Sequence, residues 1–114
     1  TAIRIGNPAS WKTAEEARDE SKGVIDMVSD DDIIEAYQMI ASNEGVFAEP
    51  ASAASFAGLL KYTRKGYFNN QKNIKAVCIL TGHGLKDPDR AVICSQKPHQ
   101  VKANMQDIIK AIGL

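Results

Sequence analysis

The feature that most restricts the fold of this chain is an apolar run, Ala76-Val77-Cys78-Ile79-Leu80, that breaks without a spacer into Thr81-Gly82-His83-Gly84-Leu85-Lys86-Asp87-Pro88-Asp89. A continuous apolar stretch of this length reads as a strand covered on both faces. Ending such a strand in a hydroxyl, two glycines and an imidazole is how α/β folds build ligand sites at the carboxyl edge of a sheet. Gly82 and Gly84 give the backbone access to positive φ and let it come close to a ligand. Weighed alone, a glycine-rich strand end is more often only a tight turn, so the rest of the chain has to decide.

The other segments alternate. Residues Ala2 to Ile5 are short and apolar around Arg4 and stop at Gly6-Asn7-Pro8. Thr13 and Glu16 form a Thr-x-x-Glu capping box that opens a helix through about Ser21, whose only apolar positions are Ala14 and Ala17, so it belongs on the surface. After Gly23, Val24 to Val28 reads as a short strand. A helix then starts at Ser29 or Asp30, with Asp30, Asp31 and Asp32 in its first turn, where the dipole favours them, and Ile33, Ile34, Tyr37, Ile40 and Ala41 as its apolar face. The three aspartates lack the Asp-x-Asp-x-Asp-Gly alternation that wraps a cation, which leaves helix-terminal charge as their role. Gly45 ends the helix and Val46-Phe47-Ala48 makes a short strand. Glu49-Pro50 opens a helix of small residues, Ala51 to about Lys65, with Leu59, Leu60 and Tyr62 on an apolar side. Ala91-Val92-Ile93-Cys94 reads as a further strand, and a last helix from about Val101 carries Met105, Ile108, Ile109 and Ile112 to a stop at Gly113. Strands and helices in alternation predict an α/β class with a mostly parallel sheet, flanking helices and right-handed crossovers, and 114 residues suit a single domain.

Lys+Arg and Asp+Glu balance at 14 each, which leaves no basic field for nucleic acid. No stretch approaches the about 18 apolar residues that span a bilayer, and the start has no signal-peptide pattern, so a cytoplasmic location is expected. Cys78 and Cys94 sit in apolar runs without metal-ligand spacing and read as buried thiols of a reducing compartment; a disulfide between them is conceivable, but nothing asks for it.

Three segments taken together, Thr1-Ala2-Ile3-Arg4-Ile5-Gly6-Asn7-Pro8-Ala9-Ser10-Trp11, Glu49-Pro50-Ala51-Ser52-Ala53-Ala54-Ser55 and the Thr81 turn, resemble the threonine synthases, pyridoxal-phosphate (PLP) enzymes of the tryptophan-synthase-β-like group. The resemblance runs from Thr1 to Leu114 in unbroken order. It implies part of the large α/β domain of such an enzyme, a PLP cofactor, and a parent reaction that converts O-phospho-L-homoserine and water into L-threonine and phosphate. Nothing in the chain resembles the family's Ser-Phe-Lys-Asp segment, whose lysine holds PLP covalently, or its Gly-Asn-rich phosphate loop. The chain is therefore expected to be the C-terminal piece of a longer enzyme, inactive alone, and self-associating or homodimeric through exposed apolar area.

The resemblance places Thr81 against the pyridine nitrogen of PLP. A neutral hydroxyl donates to an unprotonated ring nitrogen, whereas a carboxylate would keep the ring protonated; the hydroxyl makes a milder electron sink, suited to elimination and replacement at the β and γ carbons. The plain alternative is a threonine that caps its own turn. Glu49, the second candidate cofactor contact, either lies near the ring or holds a neighbouring loop by hydrogen bonds. Ser52 and Ser55 read as caps of their own helix. His83 is a candidate acid-base group, though between two glycines it reads more simply as a loop residue bonded to backbone. Lys86 could form an imine in principle, but it reads more simply as an ion-pair partner of Asp87. Arg4 and Asn7 are candidates for a substrate phosphate. Three other readings stand beside this one. A related threonine or serine dehydratase would carry Gly-Gly or Gly-Gly-Asn where this chain has Gly82-His83-Gly84-Leu85. A stand-alone phosphate or nucleotide module would use the Thr81–Asp87 turn as an anion-holding nest, and an interaction domain would present the small-residue helix to a partner.

Overall fold

The computed structural model describes residues 5–113. The strand and phosphate-contact expectations for Ala2, Ile3 and Arg4 fall outside them; Ile5 belongs to no regular element. The helices are α1 (Trp11–Ser21), α2 (Asp30–Glu44), α3 (Pro50–Arg64), α4 (Pro88–Cys94) and α5 (Met105–Ile112), with one 3-10 turn at Gly84–Lys86.

Helix α2 forms where local signals agree. The Ser29 hydroxyl accepts the Asp32 N–H at 3.1 Å while the Asp32 carboxylate takes the Ser29 N–H at 3.1 Å, a reciprocal cap. The Ser29 side chain, its main contributor, and the Ser29 backbone N–H hold the Asp32 carboxyl below the usual range. At the far end Gly45 takes the left-handed conformation, φ 66°, and returns its N–H to the Ala41 carbonyl. Ile33, Ala36, Tyr37 and Ile40 are buried at i, i+3, i+4 and i+7; Ala36 thus occupies the place expected for Ala41, which is exposed.

That face packs on Ala53 and Ala57 of α3, with Val28, Phe56, Leu60, Leu80 and Cys94 around it. Ala36, Ala53 and Ala57 keep 1% or less of their surface, so small side chains on both helices set the close approach. Burial also pushes the Tyr37 hydroxyl upward in pKa. By contrast α1 and α5 bury nothing. The radius of gyration is 19.0 Å, against about 13 Å for a compact chain of this length, so the packed body is local to α2, α3 and the segments they hold.

The expected α/β class with a mostly parallel sheet is corrected. Among the described residues there is no sheet, only one isolated antiparallel bridge between Ala48 and His83. The apolar runs 24–28 and 76–80 belong to no helix, as a strand pattern requires, but no ladder partner lies beside either. Helix α3 holds their carbonyls instead. Lys61 Nζ donates to the Met27 carbonyl at 2.6 Å, and Ser55 Oγ donates to the Ile79 carbonyl at 3.2 Å. Apolar alternation specifies a stretched backbone; pairing needs a second strand alongside, and Met27, Val77 and Ile79 stay 81%, 89% and 71% exposed without one.

Three local expectations also change. Ala91 to Cys94 is the end of α4, because Pro88 occupies the first helical turn and the Asp87 carboxylate accepts the Arg90 N–H at 3.2 Å; this start signal overrides the β-branched pair Val92-Ile93. Helix α1 begins at Trp11, two residues before Thr13, so the Thr13–Glu16 box does not form. Helix α5 begins after Asn104, whose carbonyl oxygen accepts the Asp107 N–H at 2.9 Å, which leaves Val101 outside. Cys78 and Cys94 are free and half-buried. No helix among the described residues is long and apolar enough to cross a membrane.

Candidate functional site

The Thr81 turn is docked on the segment that leads into α3. The Glu49 N–H donates to the Gly82 carbonyl at 2.9 Å and the Gly84 N–H to the Phe47 carbonyl at 3.0 Å. Neither Gly82 nor Gly84 adopts positive φ; the expectation that they serve that conformation is corrected. They are glycines because side chains lie on them. A Cβ on Gly82 would overlap the Glu49 carboxyl and sit 2.8 Å from its Cγ, and a Cβ on Gly84 would sit 2.5 Å from Phe47 Cδ2.

Pro50 fixes the first turn of α3 and makes Glu49 the residue that precedes it, so Ser52 falls one turn inside the helix and cannot be its N-cap. Ser52 is 2% exposed, and its hydroxyl bonds to the turn instead. Ser52 Oγ accepts the Gly82 N–H at 2.6 Å and lies 3.1 Å from Thr81 Oγ1 and 3.3 Å from the Gly82 carbonyl. Ser55, one turn on, reaches the Ile79 carbonyl at 3.2 Å. Reading Ser52 and Ser55 as caps missed this. Their spacing of three residues, which puts both hydroxyls on one side of a helix with a proline-fixed start, was the signal available.

Thr81 is exposed, with Ser52 as its side-chain partner. The Glu49 side chain is 15% exposed, lies against Gly82 and pairs with Lys86 Nζ at 3.0 Å. These contacts tie Glu49 to the loop that carries Gly82 and Lys86. The expected Lys86–Asp87 pair is corrected: Lys86 pairs with Glu49, and Asp87 caps α4. His83 Nδ1 accepts the Leu85 N–H at 3.2 Å and its ring stands edge-on to Phe47 at 5.4 Å, as suits a loop residue bonded to backbone.

The anion-nest reading meets a direct obstacle. The N–H groups of Gly82, Gly84, Leu85, Lys86 and Asp87 donate respectively to Ser52 Oγ, the Phe47 carbonyl, His83 Nδ1, the His83 carbonyl and the Gly84 carbonyl. A nest with most of its donors bonded within the chain offers little to a phosphate. No group of three or more metal-ligating side chains occurs among the described residues.

A separate cleft of about 510 Å³ opens between residues 24–28 and α3. Within it Asp26 Oδ2 receives Lys61 Nζ at 2.6 Å and the Tyr62 hydroxyl at 3.2 Å. Lys61 chiefly, then the Met27 N–H, lowers the Asp26 pKa to about 2. Thr81 does not line this cleft.

Comparison with known proteins bears on the Thr81 turn. The chain is 54% identical over 96 residues to a threonine synthase of Bacillus sp. (strain ULM1), covering 84% of this chain and 27% of that protein. It is 59% identical over 92 residues to the threonine synthase of Halalkalibacterium halodurans, covering 81% and 25%, and 46% identical over 114 residues to that of Mycobacterium tuberculosis (strain H37Rv), covering 100% and 31%. The chain thus spans between a quarter and a third of the length of these curated relatives. Residues 1–82, which include Glu49, Ser52 and Thr81, match the model of a family described as pyridoxal-phosphate dependent enzymes, and the chain belongs to that family.

Proposed function

We propose that this chain is part of a threonine synthase, a PLP-dependent lyase that as a whole converts O-phospho-L-homoserine and water into L-threonine and phosphate. The observation that carries the reading is the Thr81 hydroxyl. It is exposed on a turn whose Gly82, Gly84, Leu85, Lys86 and Asp87 amides are bonded within the chain, in a segment matched by the PLP family and a chain 46–59% identical to threonine synthases. An exposed hydroxyl held from behind by one buried partner fits the edge of a pyridine ring, because it keeps a proton to offer forward. PLP, when bound, supplies the electron-withdrawing ring that allows elimination and replacement along the substrate's carbon chain.

In this reading Thr81 donates its O–H to the unprotonated ring nitrogen. Glu49 would belong to the same cofactor bed, where with Lys86 it clamps the loop that carries Thr81. In this reading the chain contributes part of the cofactor bed and no catalytic base. Because Val77, Ile79 and Met105 are exposed, the isolated chain should self-associate; a compact monomer in light scattering would count against that. The reading expects a cytoplasmic enzyme, and recovery of its activity in a membrane or exported fraction would contradict this.

The full-length gene product should release phosphate from O-phospho-L-homoserine in the presence of PLP, and Thr81→Ala should lower that rate while leaving the fold intact. The isolated 114-residue chain should not turn over with PLP added. Turnover by the isolated chain, or a full-length product that deaminates serine or threonine but leaves O-phospho-L-homoserine untouched, would overturn the assignment.

A further inference from the structure

We propose that Ser52 is a positioning residue that sets the direction of the proton on Thr81; the inference rests on the reading that Thr81 meets the ring nitrogen. A hydroxyl has one proton and two lone pairs. One lone pair of Ser52 is taken by the Gly82 N–H at 2.6 Å, and burial to 2% denies it water as a substitute partner. Its proton has two acceptors in reach, the Gly82 carbonyl at 3.3 Å and Thr81 Oγ1 at 3.1 Å. The Gly82 carbonyl is the farther, and one of its two lone pairs already receives the Glu49 N–H at 2.9 Å. The shorter distance and the full pair of open lone pairs favour Thr81 Oγ1 as the acceptor.

With Ser52 donating, the Thr81 proton is left free to point out of the turn. Bonds then run in one direction, from the Gly82 N–H to Ser52 to Thr81 and outward, and each donor is strengthened by the bond it accepts. The reverse order, with Thr81 donating into Ser52, would present only lone pairs to the cofactor. Lone pairs suit a protonated ring nitrogen, and an outward proton suits a neutral one. Ser52, which touches neither ring nor substrate, therefore biases the protonation state of the ring and with it the strength of the electron sink.

The test uses the full-length protein loaded with PLP carrying 15N at the ring nitrogen. The unsubstituted protein should show an unprotonated, hydrogen-bonded ring resonance. S52A should move it toward that of a free neutral ring and lower the apparent PLP affinity roughly three- to tenfold, the worth of one net hydrogen bond. T81A should move the resonance at least as far, and S52A/T81A should match T81A alone. If S52A leaves the resonance in place while T81A moves it, or if the two displacements add, Ser52 merely supports Gly82; this inference fails and the Thr81 reading stands. If T81A leaves the resonance unchanged, the Thr81 reading itself fails. A protonated ring in the unsubstituted protein overturns the proposed proton order. Should S52A not fold, S52C carries the same comparison, since a thiol fills the space but donates weakly.

Discussion

Replacing Gly82 with alanine tests the docking of the Thr81 turn through the sign of its effect. Gly82 does not use positive φ, so alanine is conformationally permitted there, and in open space the substitution would stabilise by about 0.4–1 kcal/mol through the unfolded chain. The space is not open. The new Cβ would overlap the Glu49 carboxyl and sit 2.8 Å from Glu49 Cγ, inside any ordinary contact. Glu49 must swing away, and its side chain, 15% exposed, has to leave Lys86 Nζ at 3.0 Å. Lys86 is 63% exposed, so the lost pair itself costs under about 1 kcal/mol. Steric overpacking is the larger contribution, about 1–3 kcal/mol, and the net expectation is destabilisation by about 1–2 kcal/mol. Urea unfolding of the full-length protein, followed by circular dichroism, reads this as a lowered midpoint. Glu49→Ala removes the obstructing atoms, so the double variant G82A/E49A should lose less stability than the two single losses added. A G82A protein as stable as its parent, or a double variant that shows full additivity, would refute the contact between Gly82 and Glu49.

Asp26 should give the segment 24–28 a pH-dependent hold on α3. Its folded pKa of about 2 lies below the ordinary carboxylate value, so its contribution is present above about pH 4 and is lost as pH falls through 2. Urea midpoints of the parent and D26N should therefore differ at pH 7 and converge near pH 2; a constant difference across that range would count against the Asp26–Lys61 pair. In the core, Ile40→Ala should cost about 2–5 kcal/mol by the same urea assay, because Ile40 is 6% exposed on the face that α2 turns to Ala53 and Ala57. A loss under about 1 kcal/mol would mean that this face is not the packed one.

The parts of this fold that were legible in the sequence are those that local chemistry decides. Ser29, the acidic first turn, the apolar spacing from Ile33 to Ile40 and Gly45 all point to one helix, and α2 has those bounds. Pro50 and Gly66 likewise bracket α3 to within a residue or two. Where two local signals competed, the weaker one misled: Val92-Ile93 favours a strand, but Asp87-Pro88 is a helix start, and the cap with its proline-fixed turn prevailed. The absence of a sheet among the described residues was not legible. Residues 76–80 carry the composition of a strand, yet a ladder is a relation between segments distant in sequence, and no pattern inside one run supplies its partner.

At the candidate site, Thr81 and Glu49 were marked as candidates by a visible break, one after an apolar run and the other before a proline. Ser52 was not, because it was assigned to its own helix end. The geometry of α3 explains what the small-residue run is for. Ala53 and Ala57, four apart, face α2 and allow the close approach that buries both, while Ser52 and Ser55, three apart, face the Thr81 turn and the strand-like run before it. A larger residue at 52 or 53 would have to displace either the turn or α2. The run Ala51-Ser52-Ala53-Ala54-Ser55 therefore divides one helix between core and site, with alanine facing α2 and serine bonded to the Thr81 turn and the Ile79 carbonyl. The position of the Thr81 hydroxyl is set by the same packing that holds the core together.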